Sequence, residues 1–427
     1  MENGIVILGS GIAGISAGYH LGKNQSIIYE KCDTYGGLCN SFLVNGFLFD
    51  TAIHMSFTNI ENCREVFDKT ENFVQKPEPY NYYYGYWLKH PIQNNLYNLP
   101  IDDKVRAIID FVNKPDQKNN FINYEEWLIS NYGSYIAENF PVIYTKKYWT
   151  IEAKRLGTSW IDKRMYKPTL EEILHGAFEK ITTNVYYAKE MRYPQKGGFK
   201  EFLKPMTSNL KMEFHKEAIT IDVKKKSVEF SDSTQIYYNS LISSIPLPEI
   251  IKIIKDVPLN VRNAANKLLS TSVALISVGF NKIIDAKSTW IYIYDENIVA
   301  ARAYFPHLKS INNVPSGCSS IQFEVYYSKH NPLDISDDLL KENIIKDIVK
   351  MKLANVNDII FIHAKREKYA NVVFETDIYI NREIVINYLR KMGIITTGRF
   401  GEWDYLWSDQ SFMSGMRAAN EISNSYR

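Results

Sequence analysis

Six residues near the start, Gly9-Ser10-Gly11-Ile12-Ala13-Gly14, constrain this chain more than any other stretch. They follow an apolar run, Ile5 to Leu8, and precede a segment whose pattern predicts a helix through Leu21. A short, wholly apolar run of this kind reads as a central parallel strand. Gly9 permits the tight turn, Gly11 lets backbone approach a pyrophosphate, and Gly14 lets helix and strand pack closely. The free N–H groups of the helix start then point at the phosphates. A second strand, Ser26 to Tyr29, ends at Glu30, where a carboxylate can accept from a ribose hydroxyl. Together these features predict a βαβ opening that binds a dinucleotide, with Ala13 and Lys31 beside it.

At 427 residues the chain exceeds one ordinary core, so two or three domains are expected. Residues 98–189 read as mainly helical, with DDKVRAIIDFV, NYEEWLISNYG and TLEEILHGAFEKI carrying apolar residues three and four apart. Strand patterns return at 214–245 and again at 270–330, as in SVALISVGF and SIQFEVYY. A helix from Arg382, a strand GIITTG and a helix SFMSGMRAANEI close the chain. The predicted class is α/β. A discontinuous Rossmann-type domain takes residues 1–75, 190–250 and 385–427, a helical domain takes 98–189, and an antiparallel-sheet substrate domain takes 76–97 and 251–384.

The net charge of +2 gives no footprint for nucleic acid and no polybasic membrane patch. The four cysteines have no paired metal spacing, so no metal site is expected and the thiols read as reduced. The start lacks the n-region and cleavage site of a signal peptide, and no run of about 18 apolar residues could span a membrane. A cytoplasmic location is the expectation. The oligomeric state is not legible.

Tyr35-Gly36-Gly37-Leu38, shortly after Glu30, resembles the E-x(5)-G-G segment of the amine-oxidase-like flavoproteins. That resemblance selects FAD as the dinucleotide, with Gly37 and Leu38 on a loop over it. Near the far end, Gly398-Arg399-Phe400-Gly401 follows a strand and precedes a helix expected from about Ser411. A glycine at a strand end, then Arg399, then a helix start, reads as a second anion site.

Beyond these motifs the chain resembles the UDP-galactopyranose mutase family, the larger eukaryotic-type group more than the short bacterial one. The likeness is carried by Gly46 to Asp50 with His54, Pro91 to Asn95, Glu125 to Leu128 and Tyr144 to Trp149. It continues through Trp160 to Arg164, Arg192 to Pro194 before Gly197-Gly198, and Gly398 to Gly401 before Ser411-Phe412-Met413. The resemblance implies a non-redox ring isomerisation of a nucleoside-diphosphate sugar through a reduced-flavin N5–sugar adduct. It leaves NAD(P)H open as the reductant. It places Arg164 and Arg302 on the leaving diphosphate, where guanidinium forks suit phosphate. Tyr292, Tyr369 and Tyr405 would donate to that diphosphate, Gln93 and Trp149 would hold the base, and His54 would sit against the flavin. Ser411, Phe412 and Met413 would border the cofactor.

The chain departs from the family in its base pocket and flavin loop. Ala52-Ile53 replace two glycines, Thr145 and Ala188 replace asparagines, and His90 replaces a tyrosine. Lys76-Pro77-Glu78-Pro79 stands where the family recognises NADPH. An FAD oxidoreductase of the amine-oxidase-like type is the alternative reading, and a flavin-bound protein without catalysis is a third.

Overall fold

The computed structural model describes residues 4–115, 120–161, 164–180, 182–183, 185–186 and 188–425. Asp162 and Lys163 of the Trp160–Arg164 motif lie outside them.

Two sheets organise the chain. The first is built on Gly4–Leu8, whose apolar residues are all buried and which pairs in parallel with Ser26–Tyr29 and with Tyr238–Ser243. Lys211–Glu213 extends it on one side, and Ile394–Thr396 joins in parallel to Leu241–Ser243. The first half of Gln235–Ser243 turns into an antiparallel arm with Ser227–Phe230 and Ala218–Asp222. Strands from the start, middle and end of the chain therefore run side by side, and their carboxyl ends open at one edge. In open α/β sheets that edge is where ligands bind.

The second sheet runs in the order Ile359–Val372, Ser270–Phe280, Ser319–Tyr327, Arg302–Tyr304, Trp290–Ile293, Tyr80–Tyr83, Tyr86–Lys89. Its pairings are antiparallel with one exception: Trp290–Ile293 lies parallel to Tyr80–Tyr83. The sheet is the antiparallel one expected from sequence except at that pair, where a segment two hundred residues upstream joins it.

Between them in sequence stand Ile101–Val112, Tyr124–Tyr132, Ile143–Tyr148 and Leu170–Phe178. Thr169 and Glu172 form a capping box that starts the last of these. A π turn over Glu138–Val142, holding Pro141, precedes Ile143–Tyr148.

The end of the chain returns to the first sheet through a helix crossing. Ser408–Ser425 lies against Ile12–Leu21 at Gly415, where an added Cβ would stand 2.2 Å from the Ala13 carbonyl oxygen. Gly14 is equally confined, its Cβ position 2.0 Å from the Gly9 oxygen. Two boundaries differ from expectation. The helix placed from Arg382 starts at Ile378, since Ile378, Val385 and Leu389 form one buried stripe. Gly398–Glu402 is itself a short helix, and the last helix begins at Ser408.

Among the described residues no helix is long and apolar enough to cross a membrane, and no three His, Cys, Asp or Glu side chains converge to hold a metal ion.

Candidate functional site

The carboxyl ends of the first sheet open into a cavity of about 1200 Å³ that continues to the face of the second sheet. At its sheet end Gly9 turns with φ +93°, and its N–H donates to the Tyr29 carbonyl at 2.8 Å. The Gly36-Gly37 loop lies on this turn: the Gly36 N–H donates to Ser10 O at 2.9 Å, and a Cβ on Gly37 would stand 3.2 Å from Gly11 Cα. A Cβ on Gly11 would meet nothing within 4 Å, so backbone is open to a ligand at that point.

Glu30 is buried, and one carboxylate oxygen accepts from the Ser10 N–H and the Ser10 hydroxyl, both at 2.8 Å. The other accepts from Cys32 N–H at 3.0 Å. The carboxylate thus fixes the glycine turn while it lines the cavity. Ala13, Lys31, Leu38, Arg399 and Ser411 line it as well. The Arg399 guanidinium is held by the carbonyls of Leu406 at 2.8 Å and Ala370 at 3.3 Å.

Gly14, Phe412 and Met413, expected at the cofactor, are not among the lining residues. Gly14 serves the close approach of turn and helix. Phe412 is buried against His20 and Phe67, its carbonyl accepting from Ser16 Oγ at 2.7 Å, and Met413 packs in the same cluster. Ser244 was not singled out in the sequence. It follows the strand beside Gly4–Leu8 and donates to Leu8 O at 3.0 Å, bracing the turn.

At the far end stand the two arginines. Arg164 donates to Trp160 O at 3.0 Å and Tyr405 O at 2.8 Å, with its guanidinium 4.6 Å from the Tyr405 ring centroid. Its Nε is buried without a partner among the described residues. Arg302 is paired through Nε with the fully buried Glu324, and its guanidinium stands 5.2 Å from the Tyr148 ring and 5.9 Å from that of Tyr326. Glu324 also accepts from Tyr326 Oη at 2.6 Å and from Ile53 N–H at 2.7 Å. The rings of Tyr405, Trp149 and Tyr148 make a continuous row between the cations, with centroids 5.5 and 5.0 Å apart. Tyr148 lies inside the Tyr144–Trp149 motif but was not singled out, and no sequence pattern marks Tyr326 or Glu324.

Tyr292 lines the cavity beside His90, ring centroids 4.5 Å apart. Burial pushes the Tyr148 and Tyr292 phenols up, so both remain hydroxyl donors at neutral pH. Tyr369 lines the cavity too, its hydroxyl donating to Glu249 at 2.5 Å where Lys368 reaches the same oxygen at 2.8 Å. Burial alone would raise the Glu249 carboxyl, but these donors prevail and hold it at about 2. Gln93 is fixed by its amide N–H donating to Tyr166 O at 3.1 Å.

His54 rests on Phe199, with Nδ1 3.2 Å from Ala52 O, and burial holds its pKa near 4. Ala52 takes φ +68°, the left-handed conformation that glycine adopts without cost. Beneath this loop the fully buried Lys309 pairs with Asp50, and Lys309 Nζ reaches the His54 carbonyl at 3.4 Å.

A parallel sheet with a glycine turn, joined to a second sheet that closes a deep cavity, defines a Rossmann-type dinucleotide-binding protein with the fold of flavoenzymes. The family model described as an NAD(P)-binding Rossmann-like domain matches residues 7–70. The whole chain is similar to a crystal structure of reduced UDP-galactopyranose mutase, with TM-score 0.93 and 26% identity over 99% of this chain and 96% of that one. It also shares its fold with cyclohexylamine oxidase from Brevibacterium oxydans IH-35A, at TM-score 0.69 and 12% identity, covering all of both chains. A putrescine oxidase variant follows at 0.65 and 13%, covering 99% of each chain. The chain thus resembles UDP-galactopyranose mutase over its full length.

Proposed function

We propose that this chain is a flavin-dependent pyranose–furanose mutase for a nucleoside-diphosphate sugar, UDP-galactopyranose or a related one. The observation that carries the reading is the convergence of Arg164 and Arg302, 138 positions apart, on the cavity that also receives the glycine turn. An oxidase of amines has no use for two cations placed for a leaving diphosphate. The likeness to a mutase structure at 26% identity supports the same reading.

FAD fits the sheet end. Gly9, Gly11 and the start of Ile12–Leu21 would take the pyrophosphate, Glu30 the adenosine ribose, and Gly37, Leu38, Arg399 and Ser411 the remainder. Bound and reduced, FAD supplies the nucleophile toward the anomeric carbon. The chain's own part is charge and position. Arg302 keeps its terminal nitrogens for an anion while Glu324 holds its Nε, and both arginines would neutralise charge that grows as the sugar–phosphate bond breaks. Tyr292 and Tyr405 supply hydroxyl donors, and His54, neutral at working pH, adds no competing charge.

The test is dithionite-reduced protein incubated with a panel of nucleotide-sugars, with products read by NMR. Furanose should form with the reduced protein and no hydrogen peroxide should accumulate. Isomerisation by neither redox form, together with peroxide release from an amine, would replace this reading with the oxidoreductase one.

A further inference from the structure

We propose that His90 is a specificity-determining acceptor that reads an N–H on the edge of the nucleobase; this rests on the nucleotide-sugar reading above. His90 follows the strand Tyr86–Lys89, its backbone N–H donating to Pro79 O at 3.0 Å, and its ring lines the cavity. One face lies against Tyr292 at 4.5 Å with planes 31° apart, and Tyr186 meets it edge-on at 5.8 Å. The ring is therefore fixed in plane.

Its protonation pattern is fixed too. Nδ1 lies 3.0 Å from Asn81 Oδ1. The Asn81 amide is fully buried and donates through Nδ2 to Lys89 O at 3.0 Å, so Oδ1 is its accepting end. The opposite amide orientation would set two oxygens together at Lys89. Nδ1 must then carry the proton and Nε2 the lone pair. Burial pulls the imidazole down to about 3, so Nε2 stays unprotonated. Among the described residues Nε2 has no partner.

Two other residues lining the cavity are also held by bonds to the protein. Gln93, three residues on, spends one of its two amide N–H groups on Tyr166 O and leaves the other N–H and Oε1. Thr145 spends its hydroxyl proton on Pro141 O at 2.6 Å, across the π turn. His90 and Thr145 have given their donors to the protein and present lone pairs, Gln93 keeps one N–H beside its free oxygen, and Arg164 and Arg302 present donors. A diphosphate has no proton to offer a lone pair. A planar base flanked by rings does: uracil carries one N–H between two carbonyls. Leaving the half-buried acceptor without a donor weakens binding.

The experiment is calorimetric binding of UDP, N3-methyl-UDP and UDP-galactose to the flavin-loaded wild type and to His90→Phe. UDP should bind His90→Phe about tenfold more weakly, with flavin content unchanged. N3-methyl-UDP should bind wild type about tenfold more weakly than UDP, and His90→Phe should not distinguish the two. If His90→Phe fails to hold flavin, the comparison of the two nucleotides on wild type decides. Equal affinity for both nucleotides on wild type overturns the assignment, as does a His90→Phe penalty confined to UDP-galactose, which would place the donor on the sugar. If wild type binds none of the probes, the nucleotide-sugar reading falls first.

Discussion

Arg302 shows why a single side chain here has two duties. Its Nε compensates Glu324, which is fully buried and also holds Ile53 and Tyr326. Arg302→Ala would strand that carboxylate, at a cost of about 3–5 kcal/mol, and would confuse folding with catalysis. Arg302→Lys and Arg164→Lys keep the charge and lose the fork, so they isolate the proposed role. Each should lower kcat by about tenfold or more in a mutase assay while flavin content stays at the wild-type level; unchanged kcat in both would remove the arginines from the chemistry. The sequence carried the residue types but not their pairing. Nothing around Arg302 points to Glu324, because the two meet across adjacent strands whose register the sequence leaves open. The partner of Tyr369 is hidden for the same reason: its hydroxyl goes to Glu249, on a helix 120 residues earlier.

At the scale of elements, the steepest constraint is the crossing of Ile12–Leu21 with Ser408–Ser425. Gly415 sits where a Cβ would stand 2.2 Å from backbone oxygen, so no rotamer relieves a larger side chain. Gly415→Leu should force the helices apart, cost about 1–3 kcal/mol or more, and weaken flavin retention because Ala13 borders the cavity. Thermal unfolding followed by flavin fluorescence would show both; a variant with wild-type Tm and flavin content would contradict the tight crossing. The first two strands, the first helix and the final strand were legible because their apolar runs and glycines are local signals. The short helix at Gly398–Glu402 was not, since a five-residue helix has too few positions to show a period. The parallel direction in which Tyr80–Tyr83 pairs with Trp290–Ile293 was invisible for a different reason, as parallel pairing over such a span leaves no local mark.

For the whole molecule, burial of histidines sets the response to acid. His54 is held near 4 and His90 near 3, both by burial, whereas the unfolded chain binds protons at about 6.5. Below that pH the unfolded state binds more protons than the folded one, so stability falls as pH falls, by at most about 1.4 kcal/mol per pH unit for each histidine. Asp347, raised to about 6 by burial, opposes one of them, because its folded form keeps a proton that the unfolded form releases. The net sign remains destabilisation between pH 6.5 and 4. Calorimetry at a series of pH values should show Tm declining through that window; a flat or rising Tm toward pH 4 would mean that the histidines accept protons in place.

The first sheet takes its last parallel strand from Ile394–Thr396, and the cavity its last lining residues from Tyr405 to Ser411. A ribosome making this chain has therefore released the glycine turn hundreds of residues before the floor of its pocket exists. Cofactor capture becomes a final event of biogenesis, and a nascent chain stalled before residue 394 carries the fingerprint of a dinucleotide protein without the means to keep one.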